Sequence, residues 1–288
     1  QTPERALAEE TWGTCQTHFG GDGDNFLPWH RMQTFFFERI IRAVLQDPTF
    51  VLPYWNYTSG SKAMPVEFRQ PNDQRFASLY IRNRSRNANG GQAIDAGQPS
   101  ARTLNTRFLA NRTYSNRGEV AGFCQQLDRE HHGGVHVLTG DERNMGDIPT
   151  AANDPVFWIH HSNVDRLWAS WNAAGRANPT GEWLSREWVF SDENGRRVSL
   201  KVQDILDLNR LGMRYDRLET VPGAGAAGTP VASASAARSG PLRTVAATAA
   251  ASPIALGRGI TTVSLRSGTA AAPAPAAAPH AHPGAPPA

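Results

Sequence analysis

Two adjacent histidines stand inside a run that otherwise reads as core. The run is Asp154–Pro155–Val156–Phe157–Trp158–Ile159–His160–His161–Ser162–Asn163–Val164–Asp165–Arg166–Leu167–Trp168. Burying an imidazole without a partner is costly, so this pair must be hydrogen-bonded or ligating. His132 and His136 form a second pair at i,i+4 spacing, and His30 follows Phe26–Leu27–Pro28–Trp29, with His18 ahead of it. With His131 beside His132, seven of the nine histidines fall in these three clusters, a distribution suited to a metal centre assembled from several helices.

The spacing predicts helices for all three clusters. Residues 29–46 carry Trp29, Met32, Phe36, Ile40 and Val44 at helical intervals, and Asp47–Pro48 should end that helix. A second helix is expected from about Glu119 to Leu138, with Phe123, Leu127 and Val135 on its apolar face and Thr139–Gly140 closing it. Asn153 or Asp154 should cap a third, with Pro155 in its first turn, running to about Ala173. Between the first two, Val51–Tyr57 reads as extended. Residues 59–117 read as a long irregular excursion with a short helix near Arg75–Ile81. A short strand is expected at Trp188–Phe190 and a helix at Val202–Leu208. From residue 222 the composition turns to Ala, Pro, Gly, Ser and Thr, with strand-like stretches only at Gly240–Thr244 and Gly259–Leu265. Such a segment buries too little apolar surface to offset its ordering entropy. Residues 222–288 are therefore expected to be a largely disordered tail behind a domain of residues 1–221.

Composition excludes several function classes. The net charge of +3 is spread without basic blocks, which argues against a nucleic-acid partner. No apolar run approaches the roughly 20 residues that span a bilayer, so no membrane partner is expected. The two cysteines, Cys15 and Cys124, allow one bridge but no disulfide framework and no CxxC metal motif. The chain opens at Gln1 without Met, which points to a removed segment or a fragment. No signal peptide is visible; the compartment is left open, with secretion or the periplasm as the expectations.

On a helix, His132 and His136 share one face and can grip one ion. Gly133 and Gly134 between them imply a close approach at this turn. His160 and His161 point about 100° apart, so one is expected to ligate and the other to be packed or hydrogen-bonded. Asp165 could orient a ligand histidine, or pair with Arg166 or another basic group. Imidazole-only donors suit copper, zinc, iron or nickel, and three separate segments suggest more than one ion.

The motifs FLPWHRMQTFFFERI (26–40), LPYWNY (52–57), HHGGVH (131–136) and DPVFWIHHSNVDRLWASW (154–171) occur in this order. With them the chain resembles the tyrosinases and catechol oxidases, type-3 dicopper proteins that also include molluscan haemocyanins, over roughly residues 10–220. The resemblance implies a mainly α fold with a four-helix bundle holding two copper ions, three histidines to each. It assigns His132, His136 and His161 to copper B; His161 is preferred to His160 because it stands four residues before Asp165. It assigns His30 and His18 to copper A as third and second ligand. Residues 1–17 hold no histidine for the first, and Gly20–Asp24 lengthens the His18–His30 interval.

The implied activity is an oxidoreductase reaction. O2 bound between the coppers oxidises o-diphenols to o-quinones and is reduced to water, and some members hydroxylate monophenols. The implied partners are a phenolic small molecule and O2, with the oligomeric state left open. Phe36, Phe157 and Trp158 are candidates for a dry shell. Many tyrosinases carry Asn where this chain has Gly133, which favours diphenol or o-aminophenol oxidation over monophenol hydroxylation. Asp128, four residues before His132, is the candidate acid to hold a water, against an ordinary surface residue. Cys15 is read as a buried thiol rather than the Cys–His thioether some members make. The competing readings are a haemocyanin-like O2-binding protein and an incomplete, inactive dicopper remnant. The tail is not expected to act as a lid, and His280 and His282 in it are read as incidental.

Overall fold

The computed structural model describes residues 2–15 and 23–223, and the backbone of 247–248 and 265–266. His18 therefore lies outside the described residues, as do the expected strand-like stretch Gly240–Thr244, His280 and His282, and most of the tail. The helices are α1 (Pro3–Gly13), α2 (Phe26–Leu45), α3 (Arg86–Gly90), α4 (Phe123–Gln126), α5 (Gly133–Thr139), α6 (Ile148–Ala151), α7 (Val156–Ala173) and α8 (Val202–Ile205). A π-helical segment, Leu127–His132, joins α4 to α5, so Phe123–Thr139 is one composite rod. The fold is mainly helical, as expected, and α2 packs against both α7 and the composite rod.

Helix α1 was not legible in the sequence. It begins with Thr2 accepting from Arg5 N–H and Pro3 in the first turn, but Leu7 is its one buried residue. Without an apolar stripe there is no helical period to read. It packs against the strand Glu187–Ser191 (β1). Helix α2 starts at Phe26, one turn before the expected Trp29, and stops at Leu45 with Gln46 left-handed at φ 52°. Its apolar face is covered at Phe26, Trp29, Met32 and Phe36, but Val44 is 56% exposed, so the core ends before the helix does.

The expected helix over 119–138 starts late. Arg117 and Val120 pair in a small antiparallel turn, which occupies the backbone that would extend α4 backwards. Gly122 then passes so close to the preceding loop that a Cβ there would lie 2.3 Å from the Tyr114 carbonyl oxygen. From Phe123 on, the predicted apolar face holds: Phe123, Leu127 and Val135 are all fully buried.

Asp154 caps α7 as expected. Its Oδ1 accepts from Val156 N–H at 2.9 Å, and the same carboxylate takes a two-armed ion pair from Arg84 at 2.8 and 2.7 Å. Arg84 also donates to the carbonyls of Phe68 and Leu79, so one buried guanidinium ties the irregular excursion to the start of α7. The short helix expected near Arg75–Ile81 is a single 3-10 turn, Ala77–Leu79. Most of α7 is buried on every side, which is why its pattern reads as core rather than as an amphipathic stripe.

The expected strand at 188–190 is β1, and it has a partner the sequence reading did not include. Arg197–Lys201 (β2) pairs with it antiparallel, Val189 opposite Ser199. Helix α8 ends at Ile205, short of Leu208. Two apolar clusters result. One gathers Trp29, Met32, Phe36, Trp168, Trp171 and Phe190; the other gathers Trp55, Tyr57, Met64, Val135, Phe157 and Ile159.

No helix among the described residues is long and apolar enough to cross a membrane. By compactness the chain divides at Pro241/Leu242. In the second unit the described backbone is two short antiparallel strands, β3 (Ala247–Thr248) and β4 (Leu265–Arg266); β4 starts where the expected stretch Gly259–Leu265 ends.

Candidate metal centre

Three of the histidines are each held by a backbone carbonyl. His30 lies in the first turns of α2, and its Nδ1 is 2.8 Å from the Phe26 carbonyl. His132 ends the π-helical segment with Nδ1 3.0 Å from the Asp128 carbonyl, and His136 on α5 has Nδ1 2.6 Å from the Met145 carbonyl. A carbonyl oxygen only accepts, so Nδ1 carries the proton in all three rings and Nε2 is left with its lone pair. A π turn is rare and is found mostly at functional sites. Here it puts Asp128 and His132 in register, with the Asp128 carboxylate 3.1 Å from His132 Nδ1.

The rings converge. His30 and His161 stack with centroids 4.4 Å apart at 11°, and His132 lies 4.5 Å from His136 and 5.0 Å from His161. Ligand atoms of His132, His136, His160 and His161 all lie within 4.8 Å of one another. Phe26, from one apolar cluster, sits 4.6 Å from both His30 and His132, while Phe157, from the other, sits 4.2 Å from His161. His30, His132, His136 and His161 line a cavity of about 240 Å³. Its other walls include Trp12, Met145, Phe157, Val137 and Ile148, the last two 69% and 39% exposed at its rim.

Burial dominates the electrostatics. It pushes His30 down to about 3, with the neighbouring His132 adding to the shift. His136 and His161 are held well below the ordinary imidazole range by burial and then by the surrounding imidazoles. At neutral pH these rings are uncharged, which is the form that binds metals.

The placement sorts the expected residues. His30, His132, His136 and His161 are brought together; His18 lies outside the described residues. The adjacent pair divides as the 100° rule implies. Neither ring nitrogen of His161 has a hydrogen-bond partner, while His160 Nδ1 is hydrogen-bonded to the Tyr57 hydroxyl at 2.7 Å. Even so, His160 Nε2 stays unpartnered within the group of four. Asp165 does not reach a histidine or Arg166. It takes Arg31 from α2 at 2.5 Å and the Tyr215 hydroxyl, and Arg31 lies over the Trp168 ring at 3.7 Å. Asp165 therefore clamps α2 to α7, while Arg166 pairs with Glu219. Asp128 is no surface residue, being 1% exposed against His132. The close approach implied by the glycine pair is at Gly134, where a Cβ would lie 3.0 Å from a Leu104 methyl.

Three features were missed by the sequence reading: the Tyr57–His160 hydrogen bond, the Met145 carbonyl behind His136, and Trp12 in the cavity wall. Tyr57 belongs to the LPYWNY motif, so a signal for it existed; the other two depend on contacts between distant segments. Both cysteines are free thiols. Burial pushes Cys15 up to about 12.

Unpartnered nitrogens of His136, His160 and His161, buried among aromatic rings, are the arrangement a transition-metal ion completes. Residues 4–103 and 64–174 match the common central domain of tyrosinase. The chain belongs to the tyrosinase family. Residues 180–223 match a polyphenol oxidase middle domain. It is similar to tyrosinase HcTyr1 of Hahella sp. (strain CCB-MM4), 36% identical over 233 residues that take in 71% of this chain and 48% of that protein. It is similar also to chloroplastic catechol oxidase B of Solanum tuberosum, 32% identical over 229 residues, 68% of this chain and 38% of that one. The chain thus spans less than half the length of these two relatives. Among solved structures, Grenache (Vitis vinifera) polyphenol oxidase aligns with a TM-score of 0.59 at 26% identity, over 75% of each chain. Latent apple tyrosinase gives 0.59 at 25% identity, over 76% of this chain and 55% of that one. The cofactor of a tyrosinase-family centre is a pair of copper ions, and the cluster of neutral imidazoles in this chain fits it.

Proposed function

We propose that the chain is a type-3 copper oxidase that converts o-diphenols to o-quinones with O2 as acceptor. The observation that supports this best is the convergence of His30, His132, His136 and His161 at the floor of one cavity with apolar walls. In this reading His132, His136 and His161 hold copper B, and His30, with His18, holds copper A. The copper pair supplies O2 binding and the two-electron change. The chain's own residues fix ligand geometry and shape the space for the ring. The backbone carbonyls of Phe26, Asp128 and Met145 lock three of the imidazoles in the ligating tautomer. Phe157, Met145, Val137 and Ile148 offer a planar phenol an apolar berth and keep water from the floor.

Asp128 carries two roles in the proposal: it orients His132 through Nδ1, and its buried carboxylate beside that ring holds a water for proton transfer. Gly133 lines the cavity where an amide side chain would otherwise face the phenol, which supports diphenol or o-aminophenol oxidation over monophenol hydroxylation.

Oxygen uptake by the copper-loaded protein tests the reading. Rapid uptake with catechol, with slower uptake on tyrosine, is the expected result. Oxygen binding without turnover of catechol would instead make the chain a carrier. About one copper per chain with no uptake would make it an incomplete remnant.

A further inference from the structure

The cavity has one thiol, which the copper assignment above does not use. Cys15 lies just beyond the end of α1, and its Sγ is 3.9 Å from His30 Nε2. It lines the same cavity as His30, His132, His136 and His161. Its position is fixed from two sides. Cys15 N–H closes the last turn of α1 on the Trp12 carbonyl at 3.0 Å. The adjacent Thr14 hydroxyl accepts from the Trp29 indole N–H at 3.1 Å, while Trp12 packs edge-on to that indole with centroids 6.2 Å apart. Trp29 precedes His30, so the sulfur is held to the residue whose neighbour carries the lone pair.

His30 Nδ1 is committed to the Phe26 carbonyl, so the nitrogen facing the sulfur is the one free to ligate. Two donors about 2.0–2.3 Å from one tetrahedral ion lie roughly 3.5 Å apart. The observed 3.9 Å is within a small side-chain adjustment of that. A second, independent feature marks this space as one that takes a ligand. His161 is 1% exposed, lines the cavity, stacks on His30, and has no hydrogen-bond partner on either ring nitrogen. Cys124 has none of this character, being fully buried in the apolar cluster with Trp168 and Trp171.

We propose that Cys15 Sγ is a copper ligand on the His30 side of the centre, giving it a mixed sulfur and nitrogen donor set. The inference rests on the copper reading of the site. As the S–Cu bond forms, the thiol proton leaves to solvent; nothing is oxidised in that step. Thiolate is the softest donor available to the centre and favours Cu(I), the state in which copper can be taken up before O2 is met.

X-ray absorption at the copper edge, on the full chain loaded with Cu(I) under anaerobic conditions, tests this directly and reads the ligand shell rather than activity. A sulfur scatterer in the wild-type shell, kept in Cys124→Ser and lost in Cys15→Ser, is the expected result. A shell of nitrogen alone in copper-loaded wild type overturns the inference while leaving the copper reading intact. Persistence of the sulfur in Cys15→Ser overturns it too, by assigning the scatterer to another residue. A mass two hydrogens short in the loaded protein, with no sulfur in the shell, also overturns it, because the sulfur would be spent in a bond to carbon. Absence of bound copper overturns both readings together. A nitrogen-only shell in wild type overturns the inference even if the serine variant folds poorly.

Discussion

At the residue scale, the centre is defined by where protons cannot go. Carbonyl acceptors at Phe26, Asp128 and Met145 fix Nδ1–H on three histidines, and burial keeps the His30 and His136 rings neutral. This has a measurable consequence for the metal-free protein. His30 titrates near 3 when folded and near 6.5 when unfolded, and His136 and His161 shift in the same direction. Between these values the unfolded chain binds more protons, so stability is complete above about pH 6.5 and falls as pH is lowered toward 3. Thermal melts of the apo protein from pH 7.5 to 5 should show this loss, and His161→Phe should flatten it. A melting temperature independent of pH in that window would remove the argument for buried neutral imidazoles. The histidines themselves were legible because imidazoles clustered in apolar runs are costly unless they ligate or hydrogen-bond. What lay outside the sequence was their partners: Tyr57 is 103 positions from His160, and the Arg31–Asp165 pair spans 134. Asp165 illustrates the difficulty: the sequence allowed a ligand histidine, Arg166 or another basic group, and only the fold singles out Arg31 from another helix.

Elements were legible in proportion to how much of their face they bury. Helix α7 and the buried half of α2 follow their apolar pattern, and the Asp154 cap was readable from its side chain and the following Pro155. The π turn was not, because one turn wound more widely than an α-helix still leaves Phe123, Leu127 and Val135 buried. Strand β2 was missed although Asn194–Gly195 marks the hairpin turn, with Gly195 at φ +74°. Its alternation is half exposed, so no apolar run announces it. The excursion over 59–117 owes its order to polar anchors rather than to periodicity, and Arg84 is the chief one. Replacing it in Arg84→Met leaves the Asp154 carboxylate buried without its cation and frees the Phe68 and Leu79 carbonyls. The expected loss is about 3–5 kcal/mol in chemical unfolding. A loss under about 1 kcal/mol would show that the excursion is held by its apolar contacts instead.

For the molecule as a whole, the family match ends at residue 223 and every residue lining the cavity lies between Trp12 and His161. The Ala/Pro-rich composition after residue 222 supports a tail that contributes nothing to the centre. Truncation after Gly223 should therefore leave copper content and catechol turnover within about twofold of the full chain. A rise of tenfold or more would instead reveal a cover over the site. The boundary expected at residue 222 rests on the abrupt change of composition there. The depth of the cavity was not legible in the sequence, since it is formed by α1, α2, the composite rod, α6 and α7 together.

The central claim is that imidazoles from separate rods meet around a pair of coppers. Anomalous diffraction at the copper edge, from crystals of the metal-loaded chain, tests it most directly. Two peaks a few ångströms apart are predicted, one at the Nε2 of His30 and one among His132, His136 and His161. A single peak, or metal seated away from these rings, would contradict the account.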